Sequence, residues 1–446
     1  MKICNYLYLL FFPLSLFAQQ KEFLSLRFNE DYSYLKDDTL SSFYKSLKFH
    51  SFSNKISNSI GGEVRLQTLN FTNQNWEDNG NHTEFYQRFL LHSDLKIGKS
   101  VRFFSQIVST NAQNRLEPNR TLDENQFDLS QLFVDVAFRD IKLRIGRQEM
   151  PLGGQRLYST REGLNNRLSF DIVRFIYKND KSEGSAFYGN PVLLNKKVFD
   201  DKTNQHINIW GVYHQFKNIF KSSNLDIYYL GNHYQTKKYA NITGAEIRHS
   251  VGIRSWGKNK IINYDFETVY QFGSINNQKI SAYTVSLDAY HQLAQTKLKP
   301  KIGFKAEIIS GDKSINDNTF NTFNPLFPRG AYFGLAALIG PANLIDFHPY
   351  SEFELSPKAS FSVDYDSFWR HSINDALYNS PMQIIAANKS NKKHIGNQLG
   401  ISIAYQPIRF LTMSVECTWF HTGSYLKEVN AINDIVLIGQ TTQLKF

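Results

Sequence analysis

Residues 264–272 read Tyr264-Asp-Phe-Glu-Thr-Val-Tyr-Gln-Phe272, so that aromatic side chains alternate with acidic and amide side chains. A period of two residues is typical of a β-strand that has one apolar face and one polar face. The same alternation recurs on both sides of this stretch, for example in residues 141–146 and 301–308. The repetition predicts a large all-β protein in which strand after strand carries charge on one face.

The composition of the 446 residues limits the class of protein. Aromatic residues make up 15% of the chain and charged residues 20%, and the mean hydropathy is −0.40. This mean excludes a polytopic helical membrane protein, which needs several apolar runs of about 20 residues. The aromatic content excludes a disordered chain. A β-rich protein remains, either soluble or embedded in a membrane.

The charge and the cysteines limit the partners. Lys and Arg total 50 against 40 for Asp and Glu, and a basic excess suggests acidic partners. The charges are scattered and form no nucleic-acid motif, so no nucleic-acid partner is predicted. Of the two cysteines, only Cys417 follows the predicted cleavage site described next, which excludes an intrachain disulfide. No catalytic or phosphate-binding motif is present, so we predict neither an enzyme nor a cofactor.

The first residues are typical of a secretory signal peptide. Lys2 precedes an apolar run over residues 6–17, and Ala18 supplies a small residue at the exit. A membrane anchor is the alternative, but the run is shorter than the roughly 20 residues that a spanning helix needs. We therefore predict a signal peptide at 1–18, a periplasmic lead-in or plug at 19–57, where the alternation is poor, and the β-domain at 58–446.

Two features favour a transmembrane barrel over a soluble sandwich. The strands are about ten residues long, which suffices to cross a bilayer at a tilt of 45°. The connections are unequal, with short links such as 139–140, and this is the layout of outer-membrane barrels. We predict an antiparallel barrel of about 18 strands, whose last strand, ending at Phe446, pairs with the first. The predicted long loops are 70–82, 111–127, 148–167, 179–205, 310–330 and 370–395.

One block of sequence resembles a known family. It reads Leu143-Arg-Ile-Gly-Arg-Gln-Glu-Met-Pro-Leu-Gly-Gly-Gln-Arg-Leu157 and continues through Arg161-Glu-Gly163 to Asn166-Arg-Leu-Ser-Phe-Asp171. These runs are similar to the alginate-export family of outer-membrane barrels, in its Bacteroidetes branch. The resemblance implies an 18-stranded barrel in the outer membrane of a Gram-negative bacterium, with a narrow electropositive pore for acidic polysaccharide. It also implies a monomer that contacts outer-membrane lipid, the barrel-assembly machinery and periplasmic secretion components.

An anionic saccharide needs fixed cations along its path. Arginine suits this task because its planar guanidinium binds a carboxylate at two points and stays charged, and rings of Arg or Lys line anion pores. The predicted lining in and before the long loop at 148–167 is Lys142, Arg144, Arg147, Arg156, Arg161 and Arg167, with Asp171 as their counter-charge. The bases of lumen parity that extend the path are Arg88, Arg248, Arg254, Lys301 and Lys305. The alternative is that these arginines pair with Asp or Glu, fill the lumen and contact no substrate.

Other interpretations stay open at this point. Asp312 and Asp317 lie in one loop and are weak calcium candidates, but a solvated turn is the favoured interpretation, so no metal is predicted. The first functional alternative is a general porin, or one for another solute, on the same barrel. The second is a secreted β-rich binding protein or an outer-membrane enzyme.

Overall fold

The structure is a computed structural model that describes residues 23–36, 43–220, 222–259, 261–314, 316–386 and 390–446. The predicted signal peptide at 1–18 lies outside the described residues. Within them, 18 strands form one antiparallel barrel. They are β1 (Ile56–Thr72), β2 (Asn81–Ile97), β3 (Val101–Gln113), β4 (Asn125–Phe138), β5 (Ile141–Gln148), β6 (Phe170–Lys178), β7 (Ser182–Leu193), β8 (Ile207–Phe220), β9 (Ser223–Lys238), β10 (Thr243–Lys258), β11 (Asn263–Ile275), β12 (Gln278–Gln292), β13 (Lys301–Ile309), β14 (Leu344–Ser356), β15 (Ala359–Arg370), β16 (His394–Ile408), β17 (Leu411–Thr422) and β18 (Ile435–Lys445).

The barrel closes between its first and last strands. β18 pairs with β1 from Glu63↔Lys445 to Thr72↔Val436, and β1 pairs with β2 along its other edge. Closure leaves no unpaired strand edge, which is the condition for a sheet to span a membrane. The prediction of a closed barrel of 18 strands is confirmed.

The two faces of the strands separate as the alternation predicts. Along β11, Phe266, Tyr270 and Phe272 are exposed on the outer wall, whereas Glu267 and Gln271 are buried on the inner wall. The outer wall is therefore apolar and suited to hydrocarbon, and the polar side chains turn into the lumen.

The two ends of the barrel differ. One end has short turns, such as 139–140, 179–181 and 357–358 (the short-turn end), and it corresponds to the periplasmic side of outer-membrane barrels. The other end carries most of the long loops, including 149–169, 310–343 and 371–393. The predicted loop at 179–205 is wrong, because β7 (Ser182–Leu193) lies inside it. The small residues of β7, among them Gly184 and Gly189, weaken its alternation.

Short elements decorate the barrel. The helices are α1 (Phe43–Lys48) and α2 (Ser424–Glu428), and 3-10 turns lie at Arg27–Asn29, Ser33–Lys36 and Gln74–Trp76. Short strand pieces lie at Phe49–Ser51, Lys202–Thr203, Thr319–Phe320, Leu377–Tyr378 and Ile384–Ala386. No helix among the described residues has the length and apolarity to cross a bilayer.

Two long loops fold into the lumen and build its core. The motif loop (residues 149–169) and the second inward loop (residues 310–343) meet where Tyr158 forms a parallel bridge with Phe327. Tyr158 is fully buried, and its ring lies 5.5 Å from that of Phe170 on β6 and 5.7 Å from that of Phe187 on β7. The hydrophobic core therefore lies inside the barrel, where the loops pack against the wall.

Residues 23–36 occupy the inside of the short-turn end. The ring of Phe28 meets Phe104 and Phe133 edge to face, at centroid distances of 5.8 and 5.4 Å. The guanidinium of Arg27 donates to the carbonyl oxygens of Gly62 and Phe446, each at 2.8 Å. These contacts place the segment against the inner wall of β1–β5. Its action as a plug stays a prediction.

We expect Phe28→Ala to release this segment from the wall, because truncating a buried Phe costs about 3–5 kcal/mol. The measurement is the rate of trypsin cleavage after Arg27 in the folded barrel in detergent, which should rise. Leu24→Ala is the matched control, since Leu24 belongs to the same segment but is 44% exposed. Equal cleavage rates in the two variants would contradict the placement.

Candidate functional site

The motif loop is attached to the wall by a network of charges. Arg88 on β2 donates through Nε to Glu63 Oε1 at 2.8 Å and forms an ion pair with Glu162 of the loop. Arg167 lies 3.0 Å from Glu162 Oε2 and 2.8 Å from Glu149 Oε2. Two of the predicted path cations, Arg88 and Arg167, therefore face three carboxylates and anchor the loop.

Arg65 belongs to the same network and was missed in the sequence. Its Nη1 donates to the carbonyl of Glu162 at 2.9 Å, and its Nη2 donates to the carbonyl of Leu164 at 2.8 Å. The alternation of β1 places Arg65 on the parity of Glu63, so the sequence carried the signal for its inner position.

Glu149 belongs to the same charge network. Burial raises the pKa of Glu149 to about 7, although Arg167 opposes the shift.

A second network holds the tip of the motif loop. Arg156 lies 3.0 Å from Glu267 Oε2 and 3.1 Å from Glu307 Oε1. Arg254 on β10 lies 2.6 Å from Asp265 Oδ2 and 2.9 Å from Asp226 Oδ2. These two predicted cations face four carboxylates, so the network carries a surplus of negative charge.

Arg144 and Lys142 on β5 share one counter-ion. Arg144 Nε donates to Asp135 Oδ1 at 2.6 Å, and Lys142 Nζ lies 3.5 Å from Asp135 Oδ2. The guanidinium of Arg144 is 3.9 Å from the ring centroid of Phe133 and 4.2 Å from that of Phe28. Both bases lie on the inner wall, and the N-terminal segment covers Arg144.

Two further predicted cations form ion pairs with glutamates, one within its own strand and the other with the neighbouring strand. Arg248 is fully buried and pairs with Glu246 at 3.0 Å. Lys301 pairs with Glu352 at 3.0 Å near the short-turn end. Both have inner parity, as the sequence indicated, but their charges are compensated within the wall.

Arg147 and Asp171 pair with each other, at 2.9 Å between Nε and Oδ1. They stand opposite each other in the β5–β6 register, and Arg147 also stands opposite Leu132. Leu132 is 53% exposed on the outer wall, and side chains that are directly opposite share a face. The register therefore places this pair on the outer parity, in contrast to the predicted pore lining.

Between Arg144 and Arg147, Gly146 has φ +124°, and a Cβ there would lie 2.3 Å from the carbonyl oxygen of Leu132, so glycine is required.

Two of the cations predicted to line the pore, Arg161 and Lys305, have no carboxylate oxygen within 4.0 Å among the described residues. Arg161 lies on the motif loop and lines a vestibule of about 1050 Å³ at the long-loop end. Lys305 has inner parity, and its Nζ lies 5.2 Å from the ring centroid of Tyr350. These two cations therefore lack a close carboxylate counter-ion.

Arg174 on β6 is a third such cation, and the sequence interpretation overlooked it. Its Nη2 donates to Ser185 Oγ at 3.1 Å, while its Nε is buried without a hydrogen-bond partner. Arg174 alternates with the exposed Val173 and Phe175, which is the pattern that identified Arg88. It stands directly opposite Arg144 in the register, so two guanidinium groups share this part of the inner wall.

Arg174 lines a cavity of about 280 Å³ in the half of the lumen near the short-turn end. Arg254, Gln215 and Trp256 line the same cavity, and Pro151–Gly153 of the motif loop form its inner limit. The cavity thus combines two guanidinium groups, the carboxylate of Glu183, an amide and an aromatic ring, and Arg174 forms no ion pair within 4.0 Å among the described residues. Such a set of convergent polar groups beside an apolar surface is typical of small-ligand sites.

The two calcium candidates lie in different surroundings. Asp312 is buried and accepts a hydrogen bond from the backbone N of Asn321 at 3.3 Å, whereas Asp317 is exposed and accepts from the backbone N of Thr319. Burial and the neighbouring Asp375 raise the pKa of Asp312 to about 6. Neither belongs to a group of metal-ligating side chains within the described part of the chain.

Comparisons with known proteins address the whole barrel. A family model described as alginate export matches residues 57–433. A comparison with curated proteins finds no match. Among solved structures, the outer-membrane protein OpdK of Pseudomonas aeruginosa has a TM-score of 0.61 at 10% identity, with 87% of this chain and 99% of that chain covered.

Two other proteins of Pseudomonas aeruginosa are similar in fold. OccK8 (OprE) has a TM-score of 0.60 at 12% identity, covering 87% of this chain and 98% of its own. OccK2 (OpdF), solved in complex with glucuronate, has a TM-score of 0.59 at 11% identity, covering 89% of this chain and 99% of its own. At these identities the likeness establishes the barrel fold.

Proposed function

We propose that this chain passes anionic poly- or oligosaccharides of the alginate kind. It belongs to the alginate export family and forms a channel in the Gram-negative outer membrane. Family and fold point to a channel rather than an enzyme. The selective element that we propose is a small set of uncompensated bases and not a continuous Arg/Lys lining.

The observation that carries this proposal is the cavity around Arg174. A polyuronate sheds water from its carboxylates as it enters a narrow pore, and a guanidinium replaces that hydration with two parallel hydrogen bonds. Arg174 has no carboxylate partner among the described residues, so its charge remains available. Arg161 and Lys305 supply further cations along the lumen, which makes binding weak and multi-site, as conduction requires.

The ligand of one structural neighbour fits this substrate class. OccK2 was solved with glucuronate, which is a uronate, the kind of sugar unit from which acidic polysaccharides are built. The resemblance of the motif block also implies a monomer and periplasmic secretion partners, and both stay predictions.

A general porin is the second candidate, and one observation favours it. Arg156 and Arg254 face four carboxylates, so part of the lumen has a negative surplus that would oppose an anion. A channel dominated by this network would show weak selectivity among solutes.

Planar-bilayer recordings distinguish the two candidates. We expect a reversal potential that favours anions and a concentration-dependent block by oligouronates, with no block by neutral oligosaccharides of equal length. The physical reason is that only the charged oligomer exchanges its hydration for the guanidinium groups. Equal responses to the charged and the neutral oligomer would support the general porin.

A further inference from the structure

Three buried side chains meet on the inner wall, away from the cavity around Arg174. Asp346 and His348 lie two residues apart on β14, and Asp366 lies on the neighbouring β15. Their ligand atoms all lie within 4.8 Å of one another, and the three side chains are 3%, 7% and 0% exposed. Two carboxylates and one imidazole thus converge on one point inside the barrel.

The hydrogen bonds of this cluster are incomplete. Asp346 Oδ1 is buried and has no hydrogen-bond partner in the described structure. Glu307 stands directly opposite Asp346 in the β13–β14 register, and its Oε2 is likewise buried without a partner. Leaving a buried carboxylate unpaired is costly, so such groups normally have a partner or bind a metal ion.

The neighbouring cations form no close ion pair with Asp346 or Asp366. Arg156 pairs with Oε1 of Glu307 and not with Asp346 or Asp366. Lys305 stands opposite His348 in the register, but its ammonium lies over the ring of Tyr350 and forms no ion pair within 4.0 Å among the described residues. The cluster therefore has a local excess of negative charge that a cation would cancel.

The imidazole of His348 lies between two carboxylates. His348 Nδ1 lies 2.5 Å from Asp366 Oδ1, and Nε2 lies 3.5 Å from Asp364 Oδ1. Histidines that bind a metal through one ring nitrogen commonly donate the other N–H to a carboxylate, which sets the tautomer. Asp364 is the carboxylate next to Nε2, so Nδ1 is the nitrogen that faces Asp366. An ion bound by both replaces the proton that they share and moves Nδ1 and Oδ1 from 2.5 Å to roughly 3.3 Å apart.

We propose that Asp346, His348 and Asp366 bind one divalent transition-metal ion, with Zn²⁺ as the best fit and Glu307 as a further oxygen donor. Zn²⁺ accepts imidazole nitrogen together with carboxylate oxygen in four-coordinate sites. Ca²⁺ and Mg²⁺ prefer ligand sets made of oxygen alone, so the imidazole ligand disfavours both ions. The ion also cancels negative charge on the inner wall, and the site is independent of which solute the channel passes.

The test is Zn²⁺ binding to the full chain, purified without a histidine tag, stripped with chelator and kept in detergent. We expect calorimetry to find about one tight site per barrel, with affinity lowered at least about tenfold in Asp346→Asn and in His348→Gln. His421→Gln is the matched control, because His421 also pairs with a carboxylate, Asp434 at 2.8 Å, but its side chain is 45% exposed. It should bind like the unmodified chain.

A second readout keeps the test independent of variant folding. Co²⁺ in place of Zn²⁺ on the unmodified chain should give the visible absorption of a four-coordinate nitrogen and oxygen site. The heat-dependent gel shift identifies variants that are folded barrels. The proposal is overturned if the unmodified chain binds no Zn²⁺, or if folded Asp346→Asn and His348→Gln bind it as tightly as His421→Gln does.

Discussion

Arg174→Gln will weaken the block of the channel by oligouronates by about tenfold or more, since a hydrogen bond to a charged group contributes about 1.5–3 kcal/mol. The substitution keeps a side chain that can donate to Ser185 but removes the guanidinium that has no carboxylate partner. The anion preference of the reversal potential will fall at the same time, because a fixed cation leaves the inner wall of the 280 Å³ cavity.

Lys178→Gln is the matched control for this prediction. Lys178 lies on the same strand and parity as Arg174, but its side chain is 65% exposed and pairs with Glu183 at 2.9 Å. Both variants lose one positive charge, so a general electrostatic effect would appear in both. If Lys178→Gln reduces the block as much as Arg174→Gln does, the cavity has no special role.

Tyr158→Ala will raise the single-channel conductance, because Tyr158 anchors the motif loop across the lumen. Its ring lies 5.2 Å from that of Phe327 on the second inward loop and packs on Phe170 and Phe187 of the wall. Truncating a buried aromatic side chain costs about 3–5 kcal/mol, and every 1.4 kcal/mol corresponds to about a tenfold change in an equilibrium. States with the loop displaced from the lumen thus become populated.

The control for the loop is Tyr158→Phe. The hydroxyl of Tyr158 is buried and has no hydrogen-bond partner in the described structure, so its removal costs nothing in contacts. We expect the conductance and the gel shift of Tyr158→Phe to match those of the unmodified chain. An unchanged conductance in Tyr158→Ala, with the barrel folded, would show that the loop does not limit the pore.

Much of the fold could be predicted from local alternation. In β11 the pattern of residues 264–272 placed Phe266 outside and Glu267 inside, and the same argument placed Arg88 and Arg248 on the inner wall. β7 was missed because Gly184 and Gly189 supply no side chain to alternate. Arg174 shows the same alternation as Arg88, so the sequence also carries the signal for its position on the inner wall.

The charges of the site could be predicted only in part. Arg156 is neutralised by Glu267 and Glu307, which lie 111 and 151 residues away in sequence. No local pattern connects these positions, because the contact exists only when the motif loop folds into the closed barrel. The orientation of Arg147 and Asp171 likewise depends on the β5–β6 register beside Gly146.

The sequence by itself determined the strand faces, because the side chains of a strand alternate whatever the strand pairs with. It also indicated the family through the motif block of residues 143–171. Only the tertiary structure decided which cations remain without a counter-ion, since an ion pair requires two side chains that closure of the barrel and inward folding of its loops bring within a few ångströms.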